Sequence, residues 1–97
     1  MRIEFSSFIE RDLDVIADYI AQDNPTRAVS FIAEIRAKLH EVASRPLLYR
    51  LRPEIGSDAR MALAGRYVIL FHIVGDVVRI ERVVYGGRNL LELFDRA

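Results

Sequence analysis

The sequence has no cysteine and no tryptophan, and its only lysine is Lys38. Without cysteine the chain forms no disulfide, and two histidines alone are too few for an ordinary zinc site. The longest apolar run, residues 67–71, is far shorter than the roughly 20 residues of a membrane-spanning helix. The N-terminus shows no signal-peptide pattern. These absences predict one cytoplasmic domain, residues 1–97, with no metal, no cofactor and no membrane contact.

Charge is balanced in total, with 14 basic and 14 acidic residues, but it is unevenly placed. Residues 1–23 carry six acids and two arginines, whereas residues 45–97 carry nine arginines and six acids. A neutral total argues against broad nonspecific binding to nucleic acid. Hydrophobic residues make up 52% of the chain, which is high for a small domain and suggests that some of them serve an interface.

Three apolar runs in the C-terminal half predict consecutive strands over residues 60–63, 66–74 and 77–85. Short connections containing Gly65 and Gly75 are typical of hairpins. The middle run is apolar on both of its faces, which predicts a central strand covered on both sides. One cover is the chain's own helices, and the other is a concave face or a partner.

The N-terminal half predicts a short strand over residues 2–5 and two amphipathic helices. A capping box from Ser7 to Glu10 begins the first helix, which runs to about Gln22. Asn24 caps the second helix and Pro25 begins it, and this helix runs to about residue 43. The short turn between them predicts an antiparallel helical hairpin. The predicted core contains Leu13, Ile16, Ile20, Ile32, Ile35, Leu39, Ile69, Phe71 and Ile80.

Residues 46–58 contain two prolines and a glycine and show no regular period, so they predict a loop. Four apolar side chains are expected to pin this loop to the rest of the fold: Leu47, Leu48, Leu51 and Ile55.

Arginines within strands are the least ordinary feature of the sequence. In the last strand, alternation places Arg82 on one face with Val78, Ile80 and Val84. Two interpretations remain open, because a partly buried arginine needs an acceptor. Arg82 is either the partner of a carboxylate on the first helix or a binding or catalytic group. The acids of that helix otherwise predict a solvated face.

The order of elements is accompanied by residues at particular spacings: Leu13-x-x-Ile16-x-x-Tyr19-Ile20, Ala28-x-x-Phe31-Ile32, Pro46, Arg60, Tyr67-x-Ile69-x-Phe71 and Ile80-x-Arg82-Val83-x-Tyr85-Gly86-x-Arg88. Over nearly the whole chain this pattern resembles the ParE/RelE toxin superfamily of bacterial type II toxin–antitoxin systems. It is most similar to the ParE, plasmid-stabilisation branch. The resemblance implies an α+β fold of βααβββ order, in which an antiparallel meander and the N-terminal strand are covered on one face by the helical hairpin.

The resemblance also implies a toxin that is neutralised by a ParD-like ribbon-helix-helix antitoxin and acts on DNA gyrase. Any contact with DNA would then be indirect, through the antitoxin. The antitoxin-binding residues that it suggests are Ile16, Tyr19, Ile20, Phe31, Arg60 and Tyr67. The tail is the candidate target-binding segment, through Arg88, Leu90, Leu91, Leu93 and Phe94, although its apolar residues have the alternative role of closing the core.

Two other functions stay open at this stage. The RelE branch cleaves mRNA on the ribosome, and here that chemistry would fall to Arg60, Arg82, Tyr85 and Arg88. However, the lysines of that branch are absent, Tyr85 stands where many relatives have histidine, and no general base is evident. The other alternative is a non-toxic binding module of the same fold.

Overall fold

The computed structural model describes residues 1–87 and Leu90 of this chain. It contains six regular elements besides a short 3-10 helix at Pro46–Leu48. They are β1 (Arg2–Phe5), α1 (Ile9–Ala21), α2 (Pro25–Ser44), β2 (Arg60–Ala64), β3 (Tyr67–Val74) and β4 (Val77–Tyr85). A search of the described residues finds no helix long and apolar enough to cross a membrane.

The four strands form one mixed sheet in the order β1-β4-β3-β2. Strands β2, β3 and β4 form the predicted antiparallel meander. Its two turns place Gly65 and Gly75 at φ values of 59° and 61°, which a residue without a Cβ adopts at low cost. Strand β1 runs parallel to β4 and pairs with it only along residues 77–80. The α+β architecture is therefore the predicted one, and β2 and the far half of β4 lie at the edges of the sheet.

The helical hairpin covers one face of this sheet and forms the main core with it. Seven of the nine predicted core residues are buried there, while Ile20 and Ile32 pack against the same cluster and are partly buried. Asn24 caps α2 as predicted, because its Oδ1 accepts from the Arg27 amide at 3.0 Å.

The predicted capping box at Ser7 is wrong. Helix α1 begins at Ile9, and no side chain caps it. Ser6 orders this corner instead: its Oγ accepts from the Phe8 amide at 3.2 Å and donates to the Glu81 carbonyl.

The opposite face of β3 is covered by a smaller cluster that the chain supplies itself. Its buried members are Ile55, Ala59, Val68, Leu70 and Val84, and Met61 and Leu90 pack on them. Of the four loop residues expected to be anchors, only Ile55 is buried. The expectation is wrong for Leu47, Leu48 and Leu51, whose exposed fractions are 72%, 71% and 47%.

A β-bulge interrupts the pairing of β3 with β4. Phe71 lies opposite Ile80 and Leu70 lies opposite Arg82, so Glu81 is one extra residue on β4. Beyond this bulge Val83 joins the helix-facing core. The predicted alternation that kept Val84 on the face of Ile80 is therefore wrong from Glu81 onward.

Candidate functional site

Arg82 has a carboxylate partner on α1. Its Nε and Nη2 atoms each donate to an oxygen of Asp12 at 2.8 Å, and the guanidinium lies 4.8 Å from the centre of the Phe8 ring. The hydrogen bonds that Arg82 donates to the Asp12 carboxylate raise the pKa of Arg82 above its ordinary value. Asp12 is itself buried, so the prediction of a solvated acidic face fails at this residue. The structural interpretation of Arg82 is the one that the geometry supports.

Asp12 stabilises the edge of the sheet as well as the arginine. Because β1 ends at Phe5, no strand pairs with the outer side of β4 beyond Ile80 within the described part of the chain. The Ser6 amide donates to the Ile80 carbonyl at 2.9 Å, and Asp12 Oδ2 accepts from the Val83 amide at 3.0 Å. The main-chain amide of Ser6 and the carboxylate of Asp12 thus take the place of a strand along this edge.

Three of the four residues proposed for RNA cleavage, Arg60, Arg82 and Tyr85, lie at separate positions on strands β2 and β4. Arg60 donates through Nη1 to the carbonyl of Tyr49 and is partly buried. It lies opposite Phe71, whereas Tyr85 lies opposite Tyr67, so four residues of β3, or about 13 Å, separate them along the sheet. Arg82 is two strands from Arg60, about 10 Å across the sheet. Arg88 lies outside the described residues.

Three tyrosines and an arginine form an exposed site at the end of the sheet where a turn joins β2 to β3. We call this site the tyrosine corner. Tyr19, Arg66, Tyr67 and Tyr85 line a cleft of about 350 Å³. The rings of Tyr67 and Tyr85 meet edge to face at 6.1 Å. Burial raises the pKa of Tyr67, which keeps its phenol protonated.

The predicted antitoxin-binding set divides between this corner and the interior. Tyr19 is exposed, whereas Ile20 and Tyr67 are partly buried and pack against the main core. Ile16 and Phe31 are buried in the core. The ring centres of Phe31 and Tyr67 are 5.7 Å apart, so the core packs directly against the tyrosine corner. Arg60 lies away from the corner, at the far end of β2.

A second surface, which we call the β2 groove, was not predicted from the sequence. It lies beside the outer edge of β2 and has a volume of about 940 Å³. Its walls include three exposed leucines and three cations: Leu48, Leu51, Leu63, Lys38, Arg50 and Arg52. The signal in the sequence was the alternation of leucine and arginine between Pro46 and Pro53, where the leucines were interpreted as anchors.

A cluster of polar side chains surrounds Glu81 inside the fold. This buried carboxylate forms an ion pair with Arg79, and its Oε1 lies 3.7 Å from His72 Nε2. Arg79 also reaches Glu4 at 3.1 Å, and His72 Nδ1 lies 3.1 Å from Asp58. His72 therefore lies between two carboxylates, and the described residues include no cluster of three potential metal ligands.

The tail contributes one described residue. Leu90 is partly buried and packs on the smaller cluster, which agrees with the core-closing alternative for this residue. Arg88, Leu91, Leu93 and Phe94 fall outside the described residues.

A mixed four-stranded sheet with a helical hairpin on one face and exposed apolar side chains near its edges defines a small α+β domain. The sequence model of the ParE toxin of the type II toxin–antitoxin system parDE matches residues 3–90. The chain belongs to this toxin family.

A solved structure described as the chromosomal ParDE TA system from P. aeruginosa has the same fold, with a TM-score of 0.76. The similarity covers 88% of this chain and 95% of that chain at 19% sequence identity, so it is a similarity of fold. No curated protein matches the sequence.

Proposed function

We propose that this type II toxin is neutralised by a ParD-like antitoxin and acts in the cytoplasm on DNA gyrase, by binding and without cutting RNA. The observation that carries the proposal is the pairing of Arg82 with Asp12. Arg82, one of the four residues considered for catalysis, already has a carboxylate partner, and only 12% of its side chain is exposed.

The chemistry of RNA cleavage supports the same choice. A metal-free ribonuclease needs a base near the attacking 2′-hydroxyl and cations around the scissile phosphate. Arginine is a poor base, because its guanidinium stays protonated in proteins. Arg60 and Tyr85 are about 13 Å apart along the sheet and lie on strands separated by β3, a spacing that supports a proposal without RNA cleavage.

A binding toxin requires exposed, specific surfaces, and this fold has two of them. The tyrosine corner offers the exposed side chains of Tyr19 and Tyr85, and the β2 groove offers leucines between cations. The antitoxin contact proposed at Tyr19, Ile20 and Tyr67 uses the first surface. The tail that follows Gly87 remains the proposed contact with the target.

Two assays on the purified toxin separate the target hypotheses. In a supercoiling assay with purified gyrase, we expect the toxin to inhibit the enzyme and to increase cleaved DNA. In a translation extract, we expect mRNA to stay intact. Deleting residues 89–97 should abolish inhibition of gyrase while binding to the antitoxin is largely kept.

Codon-phased cleavage of mRNA that is lost on Arg88→Ala would move this protein to the RelE-like function. Absence of both activities, with no effect on growth after induction, would favour the non-toxic binding module. The antitoxin part is tested by co-expression with the neighbouring reading frame, which should give a stable complex and restore growth.

A further inference from the structure

The tyrosine corner contains four polar groups that no described residue satisfies. The Arg66 side chain is exposed and makes no hydrogen bond or ion pair with any residue that the structure describes. The same holds for the phenol oxygens of Tyr19, Tyr67 and Tyr85. Tyr67 is partly buried, and a buried tyrosine usually directs its hydroxyl at a partner. The corner therefore has hydrogen-bonding capacity that the described residues do not use.

Main-chain and ring contacts hold the corner in shape without a ligand. The Gly86 amide donates to the Arg66 carbonyl at 2.9 Å, which joins the β2–β3 turn to the end of β4. The ring of Tyr85 meets Tyr67 edge to face, and a Cβ on Gly87 would lie 2.6 Å from the Cε2 atom of this ring. A glycine at position 87 thus lets the Tyr85 ring lie where it does. The cleft is preformed, which lowers the cost of ordering it around a ligand.

Charge, shape and size together select the ligand. Of the described residues that line the cleft, Arg66 carries a positive charge and none is a carboxylate, so the cleft favours an anion over a cation. The three aromatic rings present flat apolar surface, against which another planar ring stacks. The volume of about 350 Å³ lies at the lower end of the range for small-molecule sites, about 300–1,000 Å³. A small ligand with one planar ring system and one anionic group meets all three conditions.

We propose that the tyrosine corner binds a nucleoside monophosphate. The base stacks against Tyr85, which is 51% exposed, and the phosphate accepts hydrogen bonds from the Arg66 guanidinium. The phenols of Tyr19 and Tyr67 donate to the remaining oxygens of the ligand. An acidic aliphatic peptide would pair with Arg66 but would leave the rings without a stacking partner. Such binding requires neither an antitoxin nor gyrase and cuts no RNA, so the proposed function can fail without affecting it.

The first test varies the ligand and keeps the full-length toxin unmodified. Calorimetry with adenosine 5′-monophosphate, adenosine and ribose 5-phosphate separates the contribution of the base from that of the phosphate. We expect the monophosphate to bind at least about tenfold more tightly than either fragment. Ribose 5-phosphate that binds as tightly would overturn the proposal, because the corner would then hold an anion without recognising a base. Absence of binding by both the adenine and the guanine monophosphates would overturn it as well.

Two substitutions and a control locate the ligand. Arg66→Gln should weaken binding of the monophosphate at least about tenfold and leave the affinity for adenosine unchanged, because it removes only the phosphate contact. Tyr85→Leu should weaken the binding of both ligands, because it removes the stacking surface. Arg2→Gln is the matched control, since Arg2 is an exposed arginine at the opposite end of the sheet. Equal losses for Arg66→Gln and Arg2→Gln would indicate general attraction between charges and would overturn the site.

Nuclear magnetic resonance of the unmodified toxin places the ligand without any variant. The amide signals of Arg66 and Tyr85 should shift in a saturable manner as adenosine 5′-monophosphate is added. Saturable shifts confined to the β2 groove would overturn the assignment to the tyrosine corner. A short single strand with a 5′-phosphate then identifies the source of the nucleotide: affinity at least about tenfold above that of the monophosphate indicates a strand end, and equal affinity indicates the free nucleotide.

Discussion

Asp12 and Arg82 lie 70 residues apart in the sequence and form a bidentate pair at 2.8 Å in the interior, with Asp12 also accepting the Val83 amide at 3.0 Å. The pair joins α1 to the stretch of β4 beyond Ile80, where no strand of the described residues lies on the outer side. A residue that sequence patterning made a catalytic candidate thus closes the edge of the sheet.

Asp12→Ala should destabilise the fold by about 3–5 kcal/mol, because it leaves the Arg82 guanidinium buried without a partner. Denaturant unfolding gives the free energy directly. The control is Glu10→Ala in the same helix, whose partner Arg36 is exposed and 3.3 Å away, and it should cost less than about 1 kcal/mol. The double variant Asp12→Leu/Arg82→Met should recover most of the loss. A double variant no more stable than Asp12→Ala would argue against the charge as the cause.

Substitution of the two serines before α1 is expected to lower stability by very different amounts. Ser6→Ala should cost about 1–3 kcal/mol, since it leaves the buried Glu81 carbonyl at the bulge without its donor. Ser7 is exposed, and Ser7→Ala should stay within about 0.5 kcal/mol. Thermal melts of the two variants beside the unmodified chain make the comparison. Equal losses would restore the capping box that the sequence pattern suggested.

The same substitution at two leucines separates the core from the β2 groove. Leu39 is 1% exposed, so Leu39→Ala should lower the free energy of unfolding by about 2–5 kcal/mol. Leu48 is 71% exposed, so Leu48→Ala should change stability by less than about 0.5 kcal/mol. Denaturant unfolding of both variants makes the comparison, and equal losses would place Leu48 in the core.

The raised pKa of Tyr67 predicts that the folded protein loses stability at alkaline pH. Burial raises its folded pKa above the ordinary value of 10.0, so the folded state holds its proton more tightly than the unfolded state does. The stability linked to this proton is present below pH 10.0 and is lost as the pH rises through the folded pKa. Unfolding free energies measured across this range should fall less steeply for Tyr67→Phe.

Tyrosinate absorbance gives a direct check, because the chain has four tyrosines and no tryptophan. One phenol should lose its proton at a higher pH than the others, and Tyr67→Phe should remove this late step from the titration curve. Tyr19→Phe, at a side chain that is 67% exposed, should keep it. A late step that persists in Tyr67→Phe would assign the shift to another tyrosine.

The sequence by itself determined the order of the elements, the cap at Asn24, the two-faced strand β3 and the helical hairpin on one face of the sheet. These features follow from periods of two and 3.6 residues and from local turn chemistry, which neighbouring residues encode. The family resemblance, which the match over residues 3–90 confirms, depends on the same local spacings.

Tertiary structure alone decided which carboxylate pairs with Arg82, where β4 changes face and which leucines stay exposed. One extra residue at Glu81 reverses the side-chain alternation, and no local pattern marks it because the bulge arises from pairing with β3. Leu48 and Ile55 are both aliphatic residues of the loop over residues 46–58. However, Leu48 is exposed and Ile55 is buried against the sheet. Such outcomes depend on distant contacts, and periodicity within a segment carries no information about what that segment packs against.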